Sequence, residues 1–266
     1  MPLAVCATPI GNLEDVTLRV LGELAEADLV LCEDTRRTRI LLDRHGVSAR
    51  LASYHEHNEA ARTAEVLPRL QAGERIALVS DAGLPGVNDP GARLVAAALE
   101  AGVPVTVLPG ASAVETALVA SGYAAERYQF LGYLPRGEAA LAALWGEVAR
   151  WPWPVVAFES PRRLPATLRS LAAALPERPA AVCRELTKQF EEVVRGPATA
   201  LAGRFTEPPK GEITLVLGPA AVVVDDSAAA VAVGELVDAG VPRRQAADLV
   251  SRLTGARRNE LYRRSL

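Results

Sequence analysis

The chain has 266 residues, half of them apolar and about a quarter charged, with a net charge of −3 at neutral pH. This ordinary globular balance excludes disordered, collagen-like and disulfide-scaffold classes, and the length allows two modest domains plus a small third element. A mildly acidic chain is no generic polyanion binder, so affinity for nucleic acid has to come from local clusters.

Residues 3–7 read as a short apolar strand and 16–27 as a helix with leucines at helical spacing. The alternation continues with a strand at 29–32, helices at 38–46 and 58–72, a strand at 75–80, a helix at 90–101, a strand at 103–108 and a helix opening near Ser112. Strand and helix in turn predict a parallel sheet covered by helices. From about residue 120 the pattern changes. Strands at 128–133, 154–159, 180–184, 191–195 and 212–217 alternate with helices at 137–150, 162–174 and 197–204, and the pair 180–184 and 191–195 reads as a hairpin. A hairpin makes the second sheet mixed. After Pro219 three short helices, 228–239, 242–253 and 256–264, are separated by Gly240 and Gly255. The fold class expected is α/β: a parallel-sheet domain at 1–120, a mixed-sheet domain at 121–219 and a small helical tail at 220–266.

The tail stands apart in charge. Seven arginines against one aspartate and one glutamate make residues 241–266 a basic patch, and residues 220–240 carry four acids and no base. Short helices, a tight turn and clustered arginines fit a helix-turn-helix-like unit that captures nucleic acid, or equally a solvated helical face. Residues 1–12 hold no Lys or Arg, and two prolines interrupt them, so they do not read as a secretory leader. The longest apolar run, 213–224, falls short of the roughly 20 residues of a membrane span. Three scattered cysteines suit a reducing compartment and offer no zinc spacing. A cytoplasmic protein without a membrane partner is expected.

In parallel α/β sheets ligands bind beyond the carboxyl ends of the strands. Three strand-to-helix loops are rich in turn residues: 8–12 (TPIGN), 81–91 (DAGLPGVNDPG) and 109–113 (PGASA). None is a phosphate-binding loop, so a ligand there is held by backbone groups and apolar contact.

Seven segments carry a resemblance: ATPIGNLEDVTLR at 7–19, ADLVLCEDTR at 27–36, SYHEHNE at 53–59, VSDAGLPGVNDPG at 79–91, LPGASAV at 108–114, FESPRR at 158–163 and RELTKQFEE at 184–192. Together they resemble the tetrapyrrole methylase family, which includes RNA-modifying members, over about residues 3–217. The resemblance implies a two-domain fold with S-adenosylmethionine in the cleft between the domains, and a homodimer. Position by position, it implies cofactor contacts from Pro9, from Asp81, Ala82, Gly83 and Pro85, from Ser112 and Ala113, and from Phe158, Leu186 and Ile213. Where many porphyrin-type members carry Gly-Asp-Pro, this chain has Asp81-Ala82-Gly83, which favours RNA over a corrin or porphyrin. The implied reaction is 2′-O-methylation of a cytidine in 16S ribosomal RNA of the small subunit. Methylation of a tetrapyrrole or other small molecule, and a non-catalytic module binding S-adenosylmethionine and RNA, are the alternatives.

Methyl transfer from a sulfonium is an in-line displacement, and a ribose hydroxyl is a poor nucleophile that a nearby base or charge would assist. Only two lysines, Lys188 and Lys210, stand against 27 arginines. Lys188, just after a strand, is a candidate for orienting RNA or assisting deprotonation, or else a surface lysine without a role. Asp34, at the end of the second strand, is the other catalytic candidate. Arg36, His55, His57 and Arg184 are candidates for RNA contact, with Arg243, Arg244, Arg257 and Arg258 of the tail for backbone capture. His55 and His57 lack a third ligand, so no metal site is expected. Tyr54, Trp151 and Trp153 are the aromatics considered for base stacking.

Overall fold

A computed structural model describes residues 2–220 and 226–265. Residues 1–220 form one compact unit and 221–266 a second.

The first sheet is built from β1 (Leu3–Cys6), β2 (Leu29–Cys32), β3 (Leu51–Ser53), β4 (Ile76–Leu78) and β5 (Val105–Leu108), in the order β3-β2-β4-β1-β5 and parallel throughout. Helices α1 (Leu18–Glu26), α2 (Thr35–Arg44), α3 (Glu59–Gln71) and α4 (Ala92–Glu100) connect them. β1, β2 and β4 are buried on both faces, which is why they read as unbroken apolar runs. Leu3, Leu31, Leu78 and Leu94 pack one side of the sheet, and Ala4, Val20, Leu24 and Leu42 the other. Cys6 and Cys32 are buried free thiols, pushed upward in pKa mainly by that burial.

After α5 (Ala113–Ser121), the second sheet comprises β6 (Gln129–Tyr133), β7 (Val155–Glu159), β8 (Pro179–Arg184), β9 (Glu192–Pro197) and β10 (Ile213–Leu217), with α6 (Glu138–Val148), α7 (Leu164–Ala174) and α8 (Ala198–Arg204). Its order is β6-β7-β10-β8-β9, parallel only between β6 and β7, so the mixed sheet expected from the hairpin is present. A core around Trp145, Leu164, Leu168 and Val182 fills one face.

The structure departs from the sequence reading in three places. β3 was not anticipated: three half-buried residues carry no periodicity, and the strand exists because it pairs with β2. α2 begins at Thr35 rather than residue 38, because the Asp34 side chain accepts the Arg36 N–H and caps the helix. α5, assigned by sequence to the first domain, buries Val114, Ala117 and Leu118 against Val156, Ala181, Cys183 and Val216 of the second sheet. The packing boundary therefore precedes α5 instead of following it at residue 120.

The second unit contains α9 (Asp226–Asp238), α10 (Arg243–Thr254) and α11 (Arg258–Arg264), packed around Val233, Ala246, Ala247, Val250 and Leu261. Gly255, in the left-handed conformation, ends α10. Among the described residues no helix is long and apolar enough to cross a membrane.

Candidate active site

Because the first sheet is parallel, the loops after β1, β2, β4 and β5 all leave from one edge. Thr8 and Gly83 exchange both backbone hydrogen bonds, at 2.8 and 3.0 Å, tying the first loop to the 81–91 loop. The third loop lies so close that a Cβ on Gly110 would meet the Ala7 Cβ at 2.9 Å. The edge faces the second sheet across a cleft of about 800 Å³, within the size range of small-molecule sites.

One wall of the cleft is loop backbone and carboxylate; the other is largely apolar. Asp81, Ala82, Gly83, Ser112, Ala113, Phe158, Leu186 and Ile213, eight of the ten residues expected to hold a cofactor, line it together. Pro9 lines a smaller adjoining pocket instead. Pro85 is buried beneath its own loop, against the space of Gly91, and lines neither cavity. The Ser112 hydroxyl is engaged with Glu115, which also accepts from the Tyr128 hydroxyl at 2.6 Å.

Acidity is the feature that sequence reasoning missed. Glu33, Asp81, Asp89, Glu115, Glu159 and Glu212 all line the cleft. Burial, reinforced by Glu33 and Asp81, pushes the Asp89 carboxyl up to about 6, and burial together with Asp81 raises that of Glu33. Asp81 Oδ1 accepts the Asp34 N–H at 3.0 Å and Oδ2 accepts from Arg37 at 2.9 Å. Glu159 is wholly buried, accepting from Thr167 at 2.5 Å and Arg163 at 2.9 Å. Asp81 and Asp89 share the 81–91 loop, but Glu33, Glu115, Glu159 and Glu212 join them only through tertiary contact.

The two catalytic candidates fare differently. Lys188 lines the smaller pocket, which shares Ile10, Arg37, Asp81, Ala82 and Glu212 with the main cleft. Its ammonium donates to Glu185 at 2.8 Å and Glu212 at 2.9 Å. Burial alone would lower its pKa, but these two bonds outweigh burial and hold it above the ordinary lysine value. Two carboxylates therefore hold Lys188 as a cation at the cavity edge. The segment carrying it is strained: Glu185 and Thr187 both have positive φ, at 52° and 64°. It is held by Thr187 N–H to Glu191, by Glu212 N–H to Glu185 and by Asn12 N–H to the Thr187 hydroxyl. Backbone held this way at a cavity edge is typical of functional segments. Asp34 lines neither cavity; it caps α2, and both its oxygens accept from the Arg36 guanidinium. That hydrogen bonding keeps its carboxyl well below the usual carboxylate range, which makes it a poor base.

The RNA candidates are dispersed. Arg36 is exposed and paired with Asp34. His57 is exposed and His55 half-buried, their rings 5.9 Å apart. Arg184 is largely covered, bound to Glu192 on β9 and to the Lys210 carbonyl in the segment before β10. In the tail Arg244 and Arg257 are exposed, Arg243 is half-buried, and Arg258 is paired with Asp248 at 3.4 Å. Of the aromatics, Tyr54 is buried with its hydroxyl bound to Thr63 and Glu59, Trp151 packs on the second core, and Trp153 lies beneath Arg127. None of the three lines the cleft.

Three parallel-edge loops and a mixed sheet closing over an acidic, apolar-walled cleft define a class of protein, and residues 2–202 match the model of the Tetrapyrrole (Corrin/Porphyrin) Methylases. The chain belongs to this family. Residues 224–266 match the model described as RsmI C-terminal HTH domain. The chain is 43% identical over 267 residues to a Mesorhizobium japonicum protein named ribosomal RNA small subunit methyltransferase I, covering 99% of this chain and 91% of that one. It is 44% identical to a protein of the same name from Micromonospora olivasterospora, over 98% and 85% of the two chains. The fold matches that of Thermus thermophilus uroporphyrin-III C-methyl transferase complexed with S-adenosyl homocysteine, with a TM-score of 0.56 and 20% identity over 81% of this chain and 96% of that one.

Proposed function

We propose that the chain transfers a methyl group from S-adenosylmethionine to the ribose 2′-hydroxyl of a cytidine in small-subunit ribosomal RNA, acting as a homodimer in the cytoplasm. The observation that carries the reading is the cleft: acidic loops and backbone on one side, and on the other mostly apolar side chains joined by Glu159 and Glu212, suited to a cationic, adenine-bearing ligand and hostile to free phosphate. S-adenosylmethionine supplies the electrophilic methyl group. Asp81, Asp89 and Glu33 would face its positive charge, Ala82, Gly83 and Ala113 would contribute loop backbone, and Ile10, Phe158, Leu186 and Ile213 would exclude water from its apolar part. Lys188, held protonated beside the cleft, would favour the alkoxide character that the ribose oxygen gains as it is deprotonated. The relatives named as ribosomal RNA methyltransferases and the basic tail support RNA as the acceptor.

Labelled methyl transfer to small ribosomal subunits lacking the modification, mapped by nuclease digestion, tests the reading. It requires label in a single 2′-O-methylcytidine. Tight cofactor binding without transfer to RNA would leave a small-molecule acceptor or a binding role.

Two further outcomes are expected. Titration from pH 7.5 to 5.5 takes Asp89 through its pKa of about 6, so calorimetry should record S-adenosylmethionine binding weakening several-fold as the carboxylate is neutralised. The same group acts oppositely on stability. Its folded-state pKa is raised, so its favourable contribution is full below the unfolded carboxyl value and is lost as pH rises through about 6. Lost affinity at pH 5.5 therefore cannot be blamed on this group unfolding the protein. In the tail, replacing exposed Arg244 and Arg257 together by alanine should weaken RNA binding. It should also lower the slope of log K against log salt by roughly 1.5, measured by filter binding. An unchanged slope would remove the tail from RNA capture.

A further inference from the structure

The cleft contains one large aromatic that no structural need explains. Tyr133 ends β6, lines the cleft and is 64% exposed, whereas Tyr54 and Trp145 are 1% exposed. The strand register slips between Phe130 and Tyr133, and Gly132 at the slip has a φ of +66°. A side chain at 132 would meet the Asn88 carboxamide oxygen at 2.7 Å, so the bulge is tied to close approach of the 81–91 loop. Bulges re-aim side chains, commonly beside active sites.

The ring is fixed at one edge and open elsewhere. It meets Phe158 edge-on, with centroids 5.6 Å apart at 61°, and Phe158 meets Phe130 in the same manner at 5.1 Å. Phe130 and Phe158 pack in turn against the core beneath α5. The Glu212 and Asp89 carboxylates lie near the Tyr133 ring in the cleft lining. Those same acids repel a phosphate but not a neutral base, and carboxylates accept from the exocyclic amino group of cytosine. A rigid aromatic face at the mouth of a cofactor cleft, surrounded by acceptors, is what an unstacked nucleobase requires.

We propose that the exposed face of Tyr133 is the platform on which the base of the target nucleotide stacks when that nucleotide enters the cleft. The proposal rests on RNA being the acceptor, and assigns to Tyr133 the positioning of the base and no part in cofactor binding.

The test compares wild type, Tyr133→Ala and Tyr133→Trp on small ribosomal subunits lacking the modification. KM and kcat are measured for the subunits, and the dissociation constant for S-adenosylmethionine is measured by calorimetry. Base–aromatic stacking predicts a fall in kcat/KM of roughly tenfold to a hundredfold in the alanine variant, with the tryptophan variant within a few-fold of wild type. The dissociation constant for S-adenosylmethionine should stay within about twofold in all three, since no stacked base is present in that measurement. Wild-type kcat/KM in Tyr133→Ala, or a tryptophan variant as impaired as the alanine one, would overturn the platform while leaving RNA as the acceptor. So would cofactor affinity falling in parallel with rate, which would assign the ring to the methyl donor. Wild-type protein that methylates no RNA would instead refute the functional reading, and the platform with it.

Discussion

Asp81→Ala should lower kcat/KM for methyl transfer about a hundredfold and weaken S-adenosylmethionine binding to a similar degree, equivalent to about 2.7 kcal/mol. Asp81 lines both cavities and joins two elements: it accepts the Asp34 N–H at the end of β2 and the Arg37 guanidinium on α2. Hydrogen bonds to a charged group contribute about 1.5–3 kcal/mol each. Arg37 is more than half exposed and recovers water when its partner goes, so that ion pair contributes little. Most of the expected loss comes from the Asp34 N–H left without its acceptor and from the missing negative charge facing the methyl donor. Asp81→Asn separates these effects, since its amide oxygen can still accept the Asp34 N–H while the charge is gone; about a tenfold loss is expected. Steady-state kinetics with calorimetry checks both variants. Normal rate and affinity in Asp81→Ala would remove the residue from the site.

The largest stability effect should come from Glu159→Ala. Glu159 closes β7 opposite Ile213, and its side chain is fully buried while it serves the Thr167 hydroxyl and the Arg163 guanidinium. Breaking a buried pair by removing one partner costs about 3–5 kcal/mol. Arg163 keeps 29% exposure and donates also to the Leu134 carbonyl, so a value near the lower end, about 3 kcal/mol, applies. For a unit of this size the melting temperature should fall by roughly 6–12 °C. Glu159→Gln, which can still accept from Thr167, should lose about half as much. Thermal denaturation followed by circular dichroism decides the matter; a melting point within 2 °C of wild type, where roughly 2–4 °C is expected per kcal/mol, would mean the carboxylate is not holding the cleft floor.

Two kinds of information about the site differed in how legible they were. The loops were legible: Gly83 and Gly110 punctuate strand ends, and the alternation of strand and helix placed those ends on one side of a parallel sheet before any coordinates. The charges within the site were not. Asp34 and Asp81 look alike in the sequence, each following a strand, yet one caps a helix and pairs with Arg36 while the other faces the cleft. Lys188 stood out through the scarcity of lysine, but its fixed protonation follows from Glu185 and Glu212, the second of them 24 residues away. Tyr54, considered for stacking from sequence, is buried, whereas Tyr133, which the sequence did not single out, is exposed, because burial depends on which face of which sheet is covered.

The sequence by itself determined nearly every regular element, the parallel and mixed character of the two sheets and the separate basic helical tail. Hydrophobic periodicity, glycine and proline punctuation and helix caps are local, and they act on whatever chain carries them. Only the tertiary structure decided the three-residue strand β3, the attachment of α5 to the second sheet, the gathering of six carboxylates in one cleft and the exposure of Tyr133. β3 depends on pairing with β2 within the first sheet, and the other three on desolvation and charge among groups distant in the chain, energies that exist only once the two sheets pack together.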